Sequence, residues 1–297
     1  MSANIYTHQD SNIWKTWTLM ALFFFLVIIL GWFISNFYNN TAILYIAVLL
    51  AILMNIFSYW FSDKIVLALH RAKSATRQEY FDLWNATENL SITAGLPMPR
   101  LYIVDDAAPN AFATGRDKEH AVIAVTTGLL KILDKNELEG VIAHELSHIG
   151  NRDMLLSTVV VVMVGFVALL SDFFLRSQAL SSNRSRNNNG GAILLIIGLV
   201  LAVLTPLVAT LIRLAISRKR EFLADASSAL LTRYPEGLAN ALRKISTTSV
   251  PMRSANNATA HLFIANPFGA KSTSGLHKLF MTPPPVEERI RALIGKF

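Results

Sequence analysis

Two nearly unbroken apolar runs close to the start of the chain, LMALFFFLVIILGWFI and AILYIAVLLAILMNIF, leave a helix made from them no polar face to turn to water. A bilayer's hydrocarbon is crossed by about 20 helical residues. Four stretches meet that length: Thr16 to Ile34, Thr41 to Phe61, Met154 to Leu175 and Ala192 to Ile216. Asp172 sits near the end of the third. The fourth holds Pro206, which would kink it, and Arg213, which can snorkel to an interface. Only 16% of residues are charged, against roughly 25% in an ordinary soluble domain. The expected fold class is therefore a mainly α membrane protein with four transmembrane helices.

Only Lys15 is basic before the first run and no small-residue cleavage site follows it, so it is expected to stay as a span and not be removed as a signal peptide. Only Ser35 to Asn40 separate it from the second, a tight hairpin. Four crossings place residues 1–15, 62–153 and 217–297 on one face. Lys15, Lys64, Arg71, Lys73, Arg77, Arg152, Arg218, Lys219 and Arg220 flank the spans there, against Arg176, Arg184 and Arg186 opposite. Positive flanks lie inside, so the large segments are expected in the cytoplasm of a cell bounded by this inner (plasma) membrane. The same flanks account for the net charge of +7. No nucleic-acid recognition motif accompanies them, so no nucleic-acid partner is expected.

In the polar segments, the pattern predicts a helix over Ser74–Ala94, broken at GLPMP. RLYIV (100–104), NAFAT (110–114) and HAVIAVT (120–126) are β-prone runs divided by turn formers, read as a small antiparallel sheet. Asp134 and Glu137 make a capping-box pattern that starts a helix through NELEGVIAHELSHIG. The stretch 176–191, rich in Asn and Ser, reads as a polar loop. Residues 250–275 read as a long loop or lid.

That helix carries the sharpest chemical signal, His144-Glu145-Leu146-Ser147-His148. Residues four apart on a helix point about 40° apart, so His144 and His148 can grip one metal ion, with Glu145 beside them as a general base. The chain has no cysteine, so a third ligand must come from His or a carboxylate. His8, His70, His120, His261 and His277 have no ligand spacing and are read as surface or loop residues. Glu221 and Asp225 repeat the i, i+4 geometry after the fourth span. One can ligate while the other holds a ligand imidazole, or both can be surface acids paired with Arg218 or Arg220. Topology favours a shared site. The HExxH helix enters the third span and the Glu221 helix leaves the fourth, so two crossings return both to one side.

HExxH after a membrane hairpin, then EFLAD after a second hairpin, resembles the HtpX group of membrane zinc metalloproteases, related to the CAAX prenyl proteases. NAFATG (110–115), TTGLL (126–130), AHLFIANPF (260–268) and PPVEERIRAL (284–293) extend the resemblance over nearly the whole chain. It implies a zincin-like (gluzincin) α+β catalytic domain holding one Zn2+ on His144, His148 and Glu221, with Asp225 supporting His144. It also implies a stress-response, quality-control role against membrane or misfolded proteins. The chain then divides into an N-terminal membrane hairpin (1–61), the first part of the catalytic domain (62–153), a second hairpin (154–216) and the second part of the domain (217–297). One departure stands out: where the family has Ser/Thr-His-Pro-Pro, this chain has Thr282-Pro283-Pro284-Pro285. A role for that histidine at the oxyanion does not carry over, and His277 is the one nearby substitute.

The expected activity is that of a zinc-dependent endopeptidase in which Glu145 activates a zinc-bound water. Asn110, Ala111, Phe112 and Ala113 are the expected substrate-binding strand, because an extended peptide adds to a sheet edge through main-chain hydrogen bonds. Two alternatives are an adaptor or chaperone-like protein with a structural zinc, which would need four protein ligands, and a site-2-type protease with HExxH inside a span. Against the latter, Glu137, Glu139, Glu145, Arg152 and Asp153 crowd the helix with charge.

Overall fold

Apolar composition shapes the amino-terminal third. In the computed structural model, which describes residues 5–181, 217–248, 250–256, 258–269 and 284–295, the first run forms α1 (Ile5–Phe37) and the second α2 (Ala42–Trp60). Among the described residues these two helices are long and apolar enough to cross a membrane. A turn at 38–41 folds α2 back along α1. The Cβ of Ala47 lies 2.2 Å from where a Cβ on Gly31 would stand, so only glycine lets the two backbones come this close. The amphipathic α3 (Ser62–Leu69) follows one residue after α2.

The sheet that comes next is mixed, not antiparallel as the sequence suggested. β1 (Lys73–Ser74), β2 (Arg100–Val104), β3 (Ala111–Thr114) and β4 (Val122–Thr126) are ordered β1-β2-β4-β3. β2 and β4 are parallel, Arg100 facing Val122 and Val104 facing Thr126. The chain reverses once between β2 and β3 and again between β3 and β4, so β4 returns in the direction of β2 and slips between the other two. Alternation of apolar residues marks a strand but not its partner.

Helix α4 (Phe81–Ala94) starts later than the expected Ser74. Ser74 instead pairs with Tyr102, and Ala75 N–H donates to Leu101 O at 2.9 Å. After α5 (Thr127–Ile132) comes α6 (Lys135–Gly150), with the expected capping box: Glu137 N–H donates to Asp134 Oδ1 at 3.0 Å, and Asp134 N–H to Glu137 Oε2 at 2.9 Å.

α6 is the hub. Val141, Ile142, Leu146 and Ile149 are buried against Ile123 and Val125 of the sheet on one side, and against α8 (Arg218–Thr232) and α9 (Pro235–Thr247) on the other. Burying each such side chain contributes roughly 1.5–3 kcal/mol. At 82° to α6 the chain turns into α7 (Asp153–Ser181). Val160, Met163 and Val167 of α7 pack on Leu19, Met20 and Phe23 of α1 and Met54 of α2. Helix α7 runs to Ser181, through the first residues of the expected loop 176–191, because RSQALS holds no Gly or Pro to stop it. The rest of that loop, the fourth expected span (192–216), His277, Thr282 and Pro283 lie outside the described residues. Short helix α10 (Val286–Ile294) closes the described fold.

Candidate metal centre

The site is assembled by the register between α6 and α8, which run antiparallel. Ser228 Oγ donates to Gly140 O at 2.7 Å. One turn along α6 from Gly140 is His144, and one turn back along α8 from Ser228 is Asp225. A further turn on each brings His148 level with Glu221. Gly140 also lets α9 approach, since a Cβ there would lie 2.6 Å from Leu238 N.

The consequence is a compact donor set. His144 Nε2 and His148 Nε2 are 3.2 Å apart, Glu221 Oε2 is 3.7 Å from the first, and Glu221 Oε1 is 3.7 Å from the second. A tetrahedral ion with bonds of about 2.0–2.2 Å separates its ligands by roughly 3.3 Å, so the three donors fit such an ion. Among the described residues this is the group of His, Asp and Glu atoms close enough to share a metal. Both imidazoles turn Nε2 to this point because Nδ1 is held elsewhere. Asp225 Oδ1 lies 3.0 Å from His144 Nδ1, and Asp153 Oδ2 lies 3.2 Å from His148 Nδ1. Carboxylates behind ligand histidines fix tautomer and ring direction.

Each of these acids is itself held. Arg289 of α10, fully buried, donates through Nε and Nη2 to the two oxygens of Asp225 at 2.8 and 2.7 Å, and through Nη1 to Ile264 O at 3.1 Å. Burial opposes charge on Asp225, but Arg289 and His144 hold it well below the usual carboxylate range. Asp153 Oδ1 accepts from Asn12 Nδ2 of α1 at 2.6 Å, and Asn12 also donates to Asn151 O at 3.1 Å. The amino-terminal span thus grips the α6–α7 bend.

Glu145 lines the same cleft. Burial pushes its carboxyl up, against the pull of His144 and His148. Burial also disfavours charge on His148, yet the Asp153 hydrogen bond and Glu221 outweigh it and hold the ring at about 9. A site that concentrates negative charge around a histidine in this way is one built for a cation.

Of the expected substrate strand, Ala113 lines the cleft. Asn110 is buried and its amide is committed internally, Nδ2 donating to Ala265 O at 3.0 Å and Oδ1 accepting from Ala265 N–H at 3.2 Å. Phe112 packs edge-on to Phe263 in the core. Ala111 O accepts from Ile264 N–H at 3.2 Å, so its main chain faces away from β4. By strand alternation Ala113 presents its main-chain groups to that same outer edge, beside the donors.

Of the histidines read as surface or loop residues, one is otherwise. His70 is buried among Phe112 and Phe263. His261, on a short 3-10 turn (Ala260–Leu262), lines the cleft and donates from Nε2 to Ser157 O at 3.0 Å. Burial lowers it to about 4, so the ring is neutral at pH 7, with its one N–H spent on Ser157. Asp153, Arg289 and Asn12 were not marked by sequence reasoning either. Arg289 did carry a signal: it interrupts the apolar face formed by Val286, Ile290 and Leu293, where a cation is placed only if a partner meets it inside.

A profile of peptidase family M48 matches residues 77–296. A protease HtpX homolog of Dictyoglomus turgidum is 46% identical over 289 residues, covering 97% of this chain and 93% of the relative. One from Thermoanaerobacter pseudethanolicus is 47% identical over 295 residues, covering 97% of each. The crystal structure of S. mikatae Ste24p shares the fold, with a TM-score of 0.50 at 16% identity. It is covered to 66%, slightly under two thirds of its length, by 95% of this chain.

Proposed function

The chain belongs to peptidase family M48, and on that premise we propose that His144, His148 and Glu221 hold one zinc ion beside Glu145, in an endopeptidase acting on membrane or misfolded proteins. The chain is a membrane-bound metalloprotease, with protein or peptide substrates. The observation that carries the finer reading is the convergence of three donors at 3.2 and 3.7 Å, from two helices, with Glu145 on the same cleft. The donor set is nitrogen and carboxylate oxygen, as zinc accepts, and three ligands leave a position open.

When bound, the ion supplies Lewis acidity, polarising the scissile carbonyl and lowering the pKa of a water in its open position to about 7. Glu145 accepts the proton that the attacking water gives up as its oxygen bonds to the carbonyl carbon. The same carboxyl returns that proton to the departing amine as the C–N bond breaks. Burial, by raising its pKa, suits Glu145 to this relay. Asp225 and Asp153 hold the imidazoles aimed. His261, its N–H occupied, donates nothing to the oxyanion.

An extended substrate is read as pairing with the outer edge of β3 at Ala113, main chain to main chain, which favours loose sequence preference. The third and fourth expected spans complete four crossings, and the basic flanks put the catalytic domain in the cytoplasm.

Casein digestion by the detergent-solubilised chain, with and without a chelator and beside Glu145→Gln, tests the reading. Cleavage lost to the chelator, and lost in a variant that still binds one zinc, is expected. Turnover retained by Glu145→Gln would overturn the general-base role.

A further inference from the structure

Away from the cleft, two cavities meet at one side chain, Leu69 at the end of α3. The first is polar. Arg71, Lys73 and Arg253 stand on its wall with His70 and Ser254. All three cations are exposed, and among the described residues none has an ion-pair partner. Asp106, on the same wall, spends Oδ1 on Ala108 N–H at 3.0 Å and Oδ2 on Arg253 N–H at 2.8 Å. Asp105 is the one other carboxylate there.

The second cavity is an apolar groove between α2 and α7, with Leu53, Phe57, Val161 and Gly165 on its sides. Leu53, Phe57 and Leu69 are large apolar side chains left exposed, Phe57 at 48% and Leu69 at 47%. A Cβ on Gly165 would meet nothing within 4 Å, so among the described residues the groove is open along α7. Its position in depth is marked by aromatics at the end of α2 and on the turn of α1 that faces it. Trp17 stacks on Tyr59 at 5.5 Å, and the Arg116 guanidinium lies 4.6 Å over the Trp60 ring. Tryptophan and tyrosine of this kind collect at the level of lipid headgroups.

We propose that the basic pocket and the apolar groove are one binding site for an anionic phospholipid, its phosphate among Arg71, Lys73 and Arg253 and an acyl chain along the groove past Leu69. Charge complementarity names the occupant: an uncharged hydrocarbon leaves three unpaired cations unmet, and a free anion leaves the groove unfilled. The site has a route to the cleft. Arg253 and Ser254 wall the pocket, Asn256 and Ala258 wall the groove, and the same segment continues into His261 and Phe263, which line the metal cleft. Bound lipid would therefore hold the segment that borders the substrate.

Native mass spectrometry of the full chain, titrated in detergent with phosphatidylglycerol or phosphatidylcholine of matched acyl chains, reads this directly. One phosphatidylglycerol retained about tenfold more tightly than phosphatidylcholine is expected, with that preference abolished when Arg71, Lys73 and Arg253 are all changed to Gln. If the triple variant does not fold, Arg253→Gln alone should reduce the preference. Gly165→Phe, which fills the groove, should weaken both lipids about tenfold while metal content is unchanged. Equal retention of the two lipids by the wild type, a preference surviving the charge changes, or undiminished binding in Gly165→Phe would each overturn the proposal. So would coverage of the groove by the chain itself, seen as quantitative disulfide formation between Leu53→Cys and a cysteine scanned through 192–216. The chain has no cysteine of its own to confuse that measurement.

Discussion

Arg289 and Asp225 face each other through two parallel hydrogen bonds of 2.8 and 2.7 Å in the interior, and the same Asp225 lies 3.0 Å from Nδ1 of His144. A cation on the last described helix thereby reaches a candidate metal ligand through one carboxylate. Arg289→Met leaves Asp225 charged and buried without its partner, which costs about 3–5 kcal/mol. Chemical denaturation should show that loss, and equilibrium dialysis should show zinc affinity reduced about 10–100-fold. Wild-type affinity in a folded Arg289→Met would separate the pair from the metal site.

Asp153 plays the corresponding part behind His148, and Asn12 holds Asp153 from within α1. Asn12→Leu removes no group that touches a metal. It should still weaken zinc binding, by less than the loss of about 10–100-fold expected for Asp153→Asn. Isothermal titration of the two variants orders them, and an unaltered Asn12→Leu would show that the span does not steer the site.

The titration of His148 has a direction that metal-free protein should reveal. Its pKa in the folded chain is raised to about 9 from 6.5. A raised histidine adds stability in full below pH 6.5, and that stability is lost as pH climbs through about 9. Metal-free protein should thus melt at progressively lower temperature between pH 6.5 and 9. Zinc must displace the proton from this ring, so binding at pH 7 should release protons, seen as a buffer-dependent enthalpy in calorimetry. A buffer-independent enthalpy would contradict the protonated state.

Ala113 offers a cleaner probe of the substrate edge than its neighbours, because Asn110 and Phe112 are committed inside the fold. The N–H of Ala113 points away from β4, so Ala113→Pro breaks no ladder bond and suits an edge strand. It should raise KM for casein about fivefold or more, the cost of about one main-chain hydrogen bond, with zinc content intact. Loss of zinc along with activity would mean that β3 had misfolded.

Packing at Gly140 sets the distance between α6 and its neighbours. A Cβ there would stand 2.6 Å from Leu238 N, a backbone atom that cannot rotate away. Gly140→Ala should destabilise the chain by about 1–3 kcal/mol. A melting temperature equal to the wild type would show that α9 shifts freely.

Much of this was legible in the chain. The apolar runs of α1 and α2 marked membrane helices because no other solvent accepts them. Asp134 and Glu137 marked the start of α6 because a capping box is a local device. HExxH marked two imidazoles on one face through helical periodicity alone. Local rules failed wherever a partner decided the outcome. Ser74 left its expected helix for β2, β4 paired parallel to β2, and His70 went inside.

The sequence by itself determined where α6 begins, which runs belong in lipid, and which residue types can meet a metal, since each follows from interactions within a few residues. Only the tertiary structure decided that Asp153 stands behind His148, and that Arg289 and Asn12 hold the two acids in place. Asp225 and Asp153, Arg289 and Asn12 come from α8, α7, α10 and α1, and the Ser228–Gly140 hydrogen bond aligns two of those helices. That alignment depends on side chains packing across distances in the chain over which sequence spacing carries no geometric information.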